Sequence, residues 1–382
     1  MTQRKLTIGF LSANPPTDRK ASSGTAFSVY RQITKIGGGV KWIPLTTPPF
    51  YQVVSLFMKI LGKIFKKTVN PSYVNIMAKW FAHSFDYKAV ANCDILFFYF
   101  CGSQVAYLKP TRQLSLIMSD ATFPAMVDYY SSFSNMPKWN VRQGTNIEKL
   151  SLDYCDRLIF CSDWAAKSAI NDLKQNPNKV KVVEIGANID DKDIIPKTFS
   201  YNRHLDILFL GVDWERKGGQ LAVEAVKWLN ENDISTTLHI IGIRKLDADI
   251  VSLPFVENIG FLNKNNKGDY DKLVRTIKTS HLLLLPTQAE CAGIAFVEAS
   301  AYGLPSFTHD TGGISNYITN GENGYMLPLG STGEDFGRKI KNCLENGELE
   351  KMTSRAPQVY KKLLNWDVWG VRVGEIINEL VN

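Results

Sequence analysis

Three features are scarce or missing in this chain of 382 residues: long apolar runs, paired cysteines and histidine. No apolar run reaches about 18 residues, so no segment is expected to span a membrane. The six cysteines form no C-x-x-C pair, and we expect reduced thiols that mostly fill the core of a cytosolic protein. Because the chain holds only five histidines, chemistry that requires a histidine acid or base has few candidates.

The composition is that of a globular protein. Apolar residues make up 45% and charged residues 21% of the chain, which is not the composition of a disordered one. The amino-terminal segment MTQRKLTIGFLSANPP contains an apolar run too short for a signal peptide, and we interpret it as a first β-strand. A chain of this length exceeds one comfortable core, so two domains are expected.

Charge is unevenly distributed along the chain. Residues 1–150 contain 18 Lys and Arg against 6 Asp and Glu, whereas the other 232 residues contain 26 against 31. A net charge of +12 beside one of −5 suggests that the first half faces an anionic partner. A basic face that is merely solvated is the alternative. Nucleic acid is not favoured as the partner, because the basic half shows no recognised binding motif and no interleaving of aromatic and basic residues.

Strand-like apolar runs alternate with amphipathic helical patterns, which is typical of βαβ units over parallel sheets. In the first half the predicted strands are KLTIGFLS, DILFFYF, LSLIMSD, RLIFCS and VKVVEIGA, and TAFSVYRQITKIG is a predicted helix. In the second half the predicted strands are LDILFLGV, TTLHIIG and HLLLLPT, and the predicted helices are GQLAVEAVKWLNEN, YDKLVRTIKTS and IAFVEASAYG. The pattern therefore predicts an α/β fold of two doubly wound, Rossmann-like domains.

The polar, proline-bearing stretch DDKDIIPKTFSYNRH separates the two halves, and we place the boundary near residues 191–203. The predicted domains are residues 1–196 and 197–364, followed by a helix over 365–382 whose apolar stripe is most simply a packing face. In doubly wound domains, ligands bind at the carboxyl ends of the strands, so we expect a ligand-binding cleft between the two.

The segment FLGVDWERKGG has the form of a strand end, a loop and a helix start. Gly211 ends the strand, and Arg216 and Lys217 lie in the loop before Gly218 and Gly219. A guanidinium grips a phosphate bidentately, an ammonium adds a point charge, and helical N–H groups add their dipole. Taken alone, the segment is equally an exposed turn with two solvated cations.

A second segment, PTQAECAGIAFVEASAYGLPSF, places Glu290 in a loop and Glu298 in the following helix. The two carboxylates are expected to lie roughly 10 Å apart, which suits the two ends of one elongated ligand. A carboxylate accepts hydrogen bonds from the vicinal hydroxyls of a ribose or a hexose. Between them, the backbone N–H groups of Ala292, Gly293 and Ile294 open a helix and can receive phosphate or sugar oxygens.

Taken together, the two segments suit a nucleotide sugar. A diphosphate would lie between the Arg216–Lys217 pair and the helix start, with the sugar at Glu290 and the ribose at Glu298. The alternative, two surface carboxylates of an ordinary α/β domain, explains less of the pattern.

These segments resemble those of a known family. FLGVDWERKGG and PTQAECAGIAFVEASAYGLPSFTHDTGGISNYITNGENGYMLP are similar to retaining glycosyltransferases of family 4, which have the GT-B fold. The resemblance is dense in the second half and extends into the first through SGTAFSVYRQITKIGG, CDRLIFCSDWAAKSAI and VKVVEIGANID. It implies two Rossmann-like domains facing a central cleft, with residues 365–382 packing back on the first. It also implies sugar transfer from a nucleoside diphosphate to an acceptor hydroxyl, with retained anomeric configuration and no required metal.

The resemblance assigns roles residue by residue. Arg216 and Lys217 match the cations that stabilise the leaving diphosphate, doing the electrostatic work that a metal does elsewhere. Glu298 matches the carboxylate that holds the ribose hydroxyls, and Glu290 matches the one near the donor sugar. Ser23 and Gly24 match the first-domain glycine loop, although the family usually has two glycines there. Gly312 and Gly313, in HDTGGISNYI, match the loop after the next strand, near the nucleotide.

One departure from the family concerns the first domain. Many relatives carry a His at the end of a first-domain strand, where this chain has Ser119 and Asp120. Asp120 would bind an acceptor hydroxyl or a sugar, or would cap the following helix. Of the histidines, only His309 lies beside a loop expected in the cleft. Without a histidine base, the leaving phosphate oxygen is implied to take the proton of the acceptor.

The segment FYQVVSLFMKILGKIFKKTVNPSY, residues 50–73, carries lysines at helical spacing among large apolar residues. The lysines are Lys59, Lys63, Lys66 and Lys67. A cationic face beside an apolar one is the pattern of a helix lying on an anionic membrane surface. A core-packed helix with a solvated lysine face is the alternative.

The sequence therefore predicts a retaining hexosyltransferase of glycan, polysaccharide or glycolipid biosynthesis. Its donor would be a UDP- or GDP-sugar, and its acceptor a saccharide or a lipid-linked saccharide. It would be cytoplasmic, and peripheral at the inner face of an anionic membrane if residues 50–73 bind lipid, and it would need no metal or other cofactor. Two rivals remain: a non-hydrolysing sugar-nucleotide epimerase of the same fold, and a catalytically silent saccharide-binding partner.

Overall fold

The computed structural model describes residues 6–18 and 24–382. The chain divides into two compact units. Unit 1 consists of the chain up to Val183 together with Trp369–Asn382, and unit 2 is Glu184–Val368.

Unit 1 is built on a parallel sheet of six strands among its described residues. The strands are β1 (Thr7–Ser12), β2 (Gly39–Pro44), β3 (Ile95–Tyr99), β4 (Leu114–Ser119), β5 (Arg157–Phe160) and β6 (Val180–Val182). Their order across the sheet is β2-β1-β3-β4-β5-β6. Every residue of β3 is buried, as expected for a central strand that helices cover on both faces.

The helices of unit 1 connect these parallel strands. They are α1 (Thr25–Ile36), α2 (Tyr51–Ile64), α3 (Asn75–His83), α4 (Tyr87–Val90), α5 (Gly102–Val105), α6 (Phe123–Met126), α7 (Lys138–Tyr154) and α8 (Asp163–Asn171). The apolar side of α1 follows its period: Ala26, Val29 and Ile33 are buried, and the helix ends at Gly37.

Unit 2 repeats the plan with a second parallel sheet of six strands in the described chain. The strands are β7 (Leu205–Leu210), β8 (Thr236–Ile241), β9 (Val256–Gly260), β10 (Leu282–Leu284), β11 (Ser306–His309) and β12 (Gly324–Leu327). Their order is β12-β11-β10-β7-β8-β9, so the chain starts in the middle with β7, proceeds to one edge, and returns through β10 to the other. This is the doubly wound order of dinucleotide-binding domains, with its switch point between β7 and β10.

The helices of unit 2 are α9 (Gly219–Glu231), α10 (Ala248–Val251), α11 (Lys267–Thr279), α12 (Ile294–Tyr302), α13 (Gly333–Glu345) and α14 (Glu348–Lys362). A last helix, α15 (Trp366–Val381), begins in unit 2 and ends in unit 1. Within unit 1, the Arg372 guanidinium donates to the carbonyl oxygen of Val182 at 2.7 Å, and Lys181 pairs with Glu379 at 3.1 Å. These contacts tie α15 to the β6 edge of the first sheet.

The six cysteines are all buried, and none of them forms a disulfide. Burial raises the pKa of the Cys101 and Cys155 thiols, so both stay protonated and unreactive. Cys101 and Cys155 are part of the hydrophobic core of unit 1, as the sequence predicts.

Helix α2 differs from the other helices in what it leaves uncovered. Tyr51, Val54 and Met58 pack in a small cluster with Val74, Met77 and Trp80. The opposite side of α2 is also apolar, yet it is exposed to solvent, with Phe57 59% and Ile64 66% exposed. The interpretation of α2 as a core-packed helix with only a lysine face in water is therefore wrong.

The predicted fold class is confirmed: the chain forms two Rossmann-like α/β units with doubly wound parallel sheets. The largest local difference is at VKVVEIGA, where only Val180–Val182 form a strand. Strands β2, β9 and β12 are not among the predicted ones. They lie at sheet edges, and β9 is a mostly polar VENIG, so their sequences lack the long apolar runs of the central strands.

Candidate functional site

The carboxyl ends of β7 and β10 are adjacent at the switch point of the unit 2 sheet. The two strands pair in parallel, with Leu282 opposite Ile207 and Leu283 opposite Leu208. Their following loops, residues 211–218 and 285–293, therefore leave the sheet side by side. Doubly wound sheets bind ligands at this position because the connections diverge to opposite faces and leave a crevice.

The two loops are joined through their backbones. The carbonyl oxygen of Arg216 accepts hydrogen bonds from the Gln288 N–H at 2.7 Å and from the Thr287 hydroxyl at 3.1 Å. Gly218 has a φ of 71°, and a Cβ atom there would lie 2.0 Å from the carbonyl oxygen of Pro286. Only glycine permits so close an approach, so the register of one loop against the other depends on it.

This approach brings together three of the predicted site residues. The Lys217 ammonium pairs directly with Oε2 of Glu290. The Arg216 guanidinium lies 3.6 Å from the same carboxylate oxygen and donates to the carbonyl oxygen of Ala289 at 2.8 Å. Asp213 adds a second carboxylate, 3.5 Å from the Nε of Arg216.

The cations are held in place rather than solvated. Lys217 is only 8% exposed. Because the surroundings of its ammonium have a lower dielectric constant than water, its electrostatic interaction with an anion is stronger than that of a solvated lysine. The alternative of an exposed turn with two solvated cations is wrong for Lys217. Gly211, predicted at the strand end, lies against the Lys217 side chain: a Cβ there would be 3.0 Å from the Lys217 Cγ.

Helix α12 begins beside this ion cluster. Its N-cap, Gly293, has a left-handed φ of 75°, and no side chain caps the helix start. The first N–H groups of the helix are thus not satisfied by a capping side chain, which is the usual arrangement of an anion site. Ala292, Gly293 and Ile294 form this start, as predicted. The Gly313 N–H donates to the carbonyl oxygen of Glu290 at 3.0 Å and fixes the predicted Gly312–Gly313 loop to the site.

Glu298 lies in the middle of α12 and is 2% exposed. Its Oε1 is 2.6 Å from the Nζ of Lys264, in the segment between β9 and α11. Lys264 was not among the predicted site residues. The sequence signal that could have identified Lys264 is its position shortly after a strand of the same sheet. That strand, β9, is too polar to be recognised from its sequence.

His309 is fully buried at the end of β11. Its two ring nitrogens each lie 3.2 Å from a backbone oxygen, that of Thr287 and that of Ser331. The ring therefore braces the β10 loop against the segment before α13. It is a positioning residue rather than a group presented to a ligand.

The predicted site residues of unit 1 each have their own local contacts. Ser23 lies outside the described residues. Gly24 precedes α1 with a left-handed φ of 94°, so a glycine is required at this turn. The Ser119 hydroxyl donates to the carbonyl oxygen of Ala121 at 2.7 Å. Asp120 follows β4, and α6 is capped by Thr122, so the interpretation of Asp120 as its cap is wrong.

A buried carboxyl group of unit 1 was missed by the sequence analysis. Glu148 of α7 is 2% exposed and accepts a hydrogen bond from the Tyr73 hydroxyl at 3.1 Å. Burial raises the pKa of Glu148 to about 7. Burial, and then the charge of Glu148, also raises the pKa of Tyr73. Nothing in the sequence around a single Glu in a helix indicates that its carboxyl group is buried and has a raised pKa.

The described residues show neither a metal-binding cluster nor a membrane-spanning helix. No group of three or more His, Cys, Asp or Glu in residues 6–18 and 24–382 is arranged to hold a metal ion. No helix within the same ranges is both long enough and apolar enough to cross a bilayer.

The sequence is similar to those of known glycosyltransferases. Residues 190–359 match the family model "Glycosyl transferases group 1". The chain is 23% identical over 266 residues to the uncharacterized glycosyltransferase MJ1178 of Methanocaldococcus jannaschii, covering 70% of this chain and 71% of that one. It is 24% identical over 288 residues to the D-inositol 3-phosphate glycosyltransferase of Rhodococcus jostii, covering 70% of this chain and 62% of the relative.

The fold is shared over nearly the whole chain with a solved structure. HepE of Anabaena in complex with UDP-glucose superposes with a TM-score of 0.61, at 14% identity, covering 98% of this chain and 100% of the other. The match of residues 190–359 to the group 1 glycosyl transferases supports a glycosyltransferase, and HepE shows that a solved structure has the fold of both Rossmann-like units.

Proposed function

We propose that this protein transfers a hexosyl group from a nucleoside-diphosphate sugar to an acceptor hydroxyl, with retention of the anomeric configuration. The observation that carries the proposal is the meeting of Arg216, Lys217 and Glu290 at the switch point of unit 2, beside the open start of α12. HepE, which shares the fold, was solved with UDP-glucose, and this supports a nucleotide sugar as the donor.

In the proposed complex, the diphosphate binds between the two cations and the α12 N-terminus. Arg216 offers two parallel N–H donors and Lys217 a compact charge, and both lie within reach of the same carboxylate oxygen. Diphosphate oxygens would take over part of the role that the Glu290 carboxylate has here. Negative charge grows on the diphosphate as the glycosidic bond breaks, and preorganised cations and N–H dipoles stabilise that growth. No metal ion is required for this work.

The nucleoside end of the donor is assigned to Glu298. Its carboxylate accepts hydrogen bonds from the two ribose hydroxyls, while Lys264 pairs with the same carboxylate through Oε1 and orients it. Glu290 lies at the sugar end, where it positions the cations and orients sugar hydroxyls. The two carboxylates thus have different cation partners and different tasks.

The transfer step needs no histidine base. The acceptor hydroxyl attacks the anomeric carbon from the side of the departing phosphate, and the bond from that carbon to the phosphate oxygen breaks. The proton of the acceptor passes to the oxygen that leaves, so charge and atoms balance. Attack on the same face retains the configuration, as the family resemblance implies.

Unit 1 is proposed to bind the acceptor, a saccharide or a lipid-linked saccharide, with Ser119, Asp120 and the Ser23–Gly24 loop as candidate contacts. We place the reaction in the cytoplasm. Six buried cysteines that form no disulfide support this location, because oxidising compartments favour disulfides.

The decisive experiment measures release of nucleoside diphosphate from a panel of UDP- and GDP-sugars, with and without saccharide and lipid-linked acceptors. We expect one donor to be cleaved and the rate to rise with the correct acceptor. NMR of the product would then show the anomeric configuration of the donor retained.

Each rival function predicts a different result. An epimerase would convert the donor sugar without an acceptor and without net transfer. A silent binding protein would release no nucleotide from any donor, although a saccharide would raise its melting temperature. An inverted product would contradict the retaining mechanism but leave transfer itself standing.

A further inference from the structure

The strongest feature outside the donor site is the uncovered side of α2. Eight large apolar residues in and beside this helix are exposed, among them Leu56 and Phe57 at 59% and Ile60 at 48%. We call the following set the α2 patch: Phe50, Val53, Leu56, Phe57, Ile60, Leu61, Ile64 and Phe65, with Lys59, Lys63, Lys66 and Lys67.

The α2 patch is a continuous surface. Residues 53, 56, 57, 60, 61 and 64 recur at spacings of three and one, which places them along one side of a helix. The packed residues Tyr51, Val54 and Met58 lie on another side and anchor the helix to unit 1. Monomeric soluble proteins rarely expose a contiguous apolar patch of more than a few hundred Å², so this side of α2 is expected to be covered by something.

The orientation of the α2 patch is fixed by its carboxyl-terminal end. The Lys67 ammonium donates to the Asn135 side chain at 2.8 Å, and the Asn135 amide donates to the carbonyl oxygen of Lys66 at 2.8 Å. Gly62 permits the fold-back, since a Cβ there would lie 2.8 Å from the carbonyl oxygen of Lys67. The helix is therefore presented by a supported turn.

Charge identifies the partner. Lys59 and Lys63 lie beside the exposed apolar residues on the helix, and Lys66 and Lys67 follow at its end, all four with exposed side chains. Residues 50–73 contain no Asp or Glu, so the α2 patch combines apolar and purely cationic groups. A bilayer with anionic headgroups offers both complements at once: acyl chains for the apolar side chains and phosphates for the ammonium groups.

An aromatic residue near the α2 patch fits the same partner. Trp139, at the start of α7, is 46% exposed and lies four residues after Asn135, which is bonded to the end of the patch. Tryptophan is enriched at the boundary between headgroups and acyl chains, because its ring is apolar and its N–H is polar.

A second copy of the chain fits less well. Symmetric pairing of two α2 patches would bring two sets of four lysines together without any carboxylate from residues 50–73. Like charges at an interface oppose association. We therefore propose that α2 docks unit 1 onto an anionic lipid bilayer, with its apolar residues inserted at the headgroup level and its lysines against lipid phosphates. This proposal does not depend on the proposed transfer reaction.

The test is co-sedimentation of the full chain with vesicles of phosphatidylcholine alone and of phosphatidylcholine mixed with phosphatidylglycerol. We expect binding to the mixed vesicles at low salt, at least about tenfold weaker binding to neutral ones, and loss of binding as salt screens the lysines. No donor or acceptor is present, so failure here would leave the proposed transfer reaction untouched.

Two variants divide the apolar from the charged contribution. Ile60→Ser with Ile64→Ser removes exposed apolar contacts, and Lys59→Gln with Lys63→Gln and Lys66→Gln removes three charges; each should lower binding at least about tenfold. The matched controls are Val371→Ser, an exposed apolar residue of α15, and Lys88→Gln with Lys109→Gln and Lys167→Gln, three exposed lysines elsewhere in unit 1. The controls should bind like wild type.

Three results would overturn the proposal. The first is absence of binding to mixed vesicles at low salt. The second is equal binding to neutral and anionic vesicles, or equal losses in the patch and control lysine variants. The third is a concentration-dependent dimer in analytical ultracentrifugation that the Ile60→Ser, Ile64→Ser variant abolishes, without vesicle binding, which would make the patch a protein interface.

Discussion

Lys217 and Glu290 are 73 residues apart in the chain and form a direct ion pair. The pair exists because the loops after β7 and β10 leave the sheet together at its switch point. In the proposed donor complex, this pair is the preassembled part of the diphosphate site, with Glu290 holding the ammonium when no diphosphate is bound.

Replacing Lys217 should remove much of the stabilisation of the leaving diphosphate. We expect Lys217→Met to lower kcat/KM by about 10²–10³-fold, the usual loss when one preorganised donor is removed. Steady-state release of nucleoside diphosphate measures the effect, and thermal melting checks the fold. Lys227→Met, an exposed lysine of α9 paired with Glu231, is the control. Activity within twofold of wild type would rule out the phosphate assignment of Lys217.

Lys264 and Glu298 should act as one unit in stability and in donor binding. Lys264→Met leaves a carboxylate that is 2% exposed without this cation, and we expect a loss of about 2–4 kcal/mol in the free energy of unfolding. Adding Glu298→Gln should restore most of that loss, since no buried charge remains. Urea unfolding measures the cycle.

Donor binding separates a positioning role from a structural one. The Lys264→Met, Glu298→Gln double variant should regain stability yet bind nucleotide at least about tenfold more weakly in calorimetry, because a neutral amide with one acceptor oxygen replaces the charged carboxylate at the ribose. Lys264→Arg should rescue both properties in part. Wild-type nucleotide affinity in the double variant would contradict the assignment of the ribose to Glu298.

Gly218 should be intolerant of any side chain. A Cβ atom would meet the Pro286 carbonyl oxygen at 2.0 Å, and the residue has a φ of 71°. We expect Gly218→Ala to cost at least about 2 kcal/mol in the free energy of unfolding. Gly39→Ala is the control, since nothing lies within 4 Å of a Cβ there. Equal stability of the two variants in urea unfolding would disprove the close approach of the loops.

Glu148 should make stability depend on pH. Its pKa rises on folding from 4.5 to about 7, so the folded state favours the protonated form. The stability of the wild type therefore falls as pH increases from about 4.5 to about 7 and changes little above that. Glu148→Gln does not titrate, so it should match wild type near pH 5 and be about 1–3 kcal/mol more stable near pH 8.

Urea unfolding at the two pH values tests this expectation, with Glu350→Gln on the exposed surface of α14 as the control. The control should show no comparable gain between the two conditions, because solvent screens its charge. A Glu148→Gln variant whose advantage is the same at both pH values would show that burial does not govern this carboxyl group.

Local pattern accounts for most of the fold. The β7, α9 and α12 segments are predicted to within a residue or two, because strong apolar periodicity and glycine punctuation mark them. The edge strands β2 and β9 are different: they are half-exposed or polar, and pairing with a neighbour makes them strands.

The site shows the same division. Arg216, Lys217 and Glu290 are recognisable because each follows a buried strand of one sheet, and parallel strands end at one edge. Lys264 and Glu148 are not recognisable, since their importance comes from what they meet across distant elements. The exposure of the α2 patch is also a tertiary property. The sequence alone did not distinguish a membrane-surface helix from a helix packed on the core. The contacts of Tyr51 and Met58 show which side of α2 is covered by unit 1.

The burial of all six native thiols has a practical use. A cysteine introduced on the surface, such as Ile60→Cys in α2, would be the readily accessible sulfhydryl for a maleimide dye. An environment-sensitive fluorophore attached there would report the polarity around that one helix in real time, without first removing the native cysteines from the core.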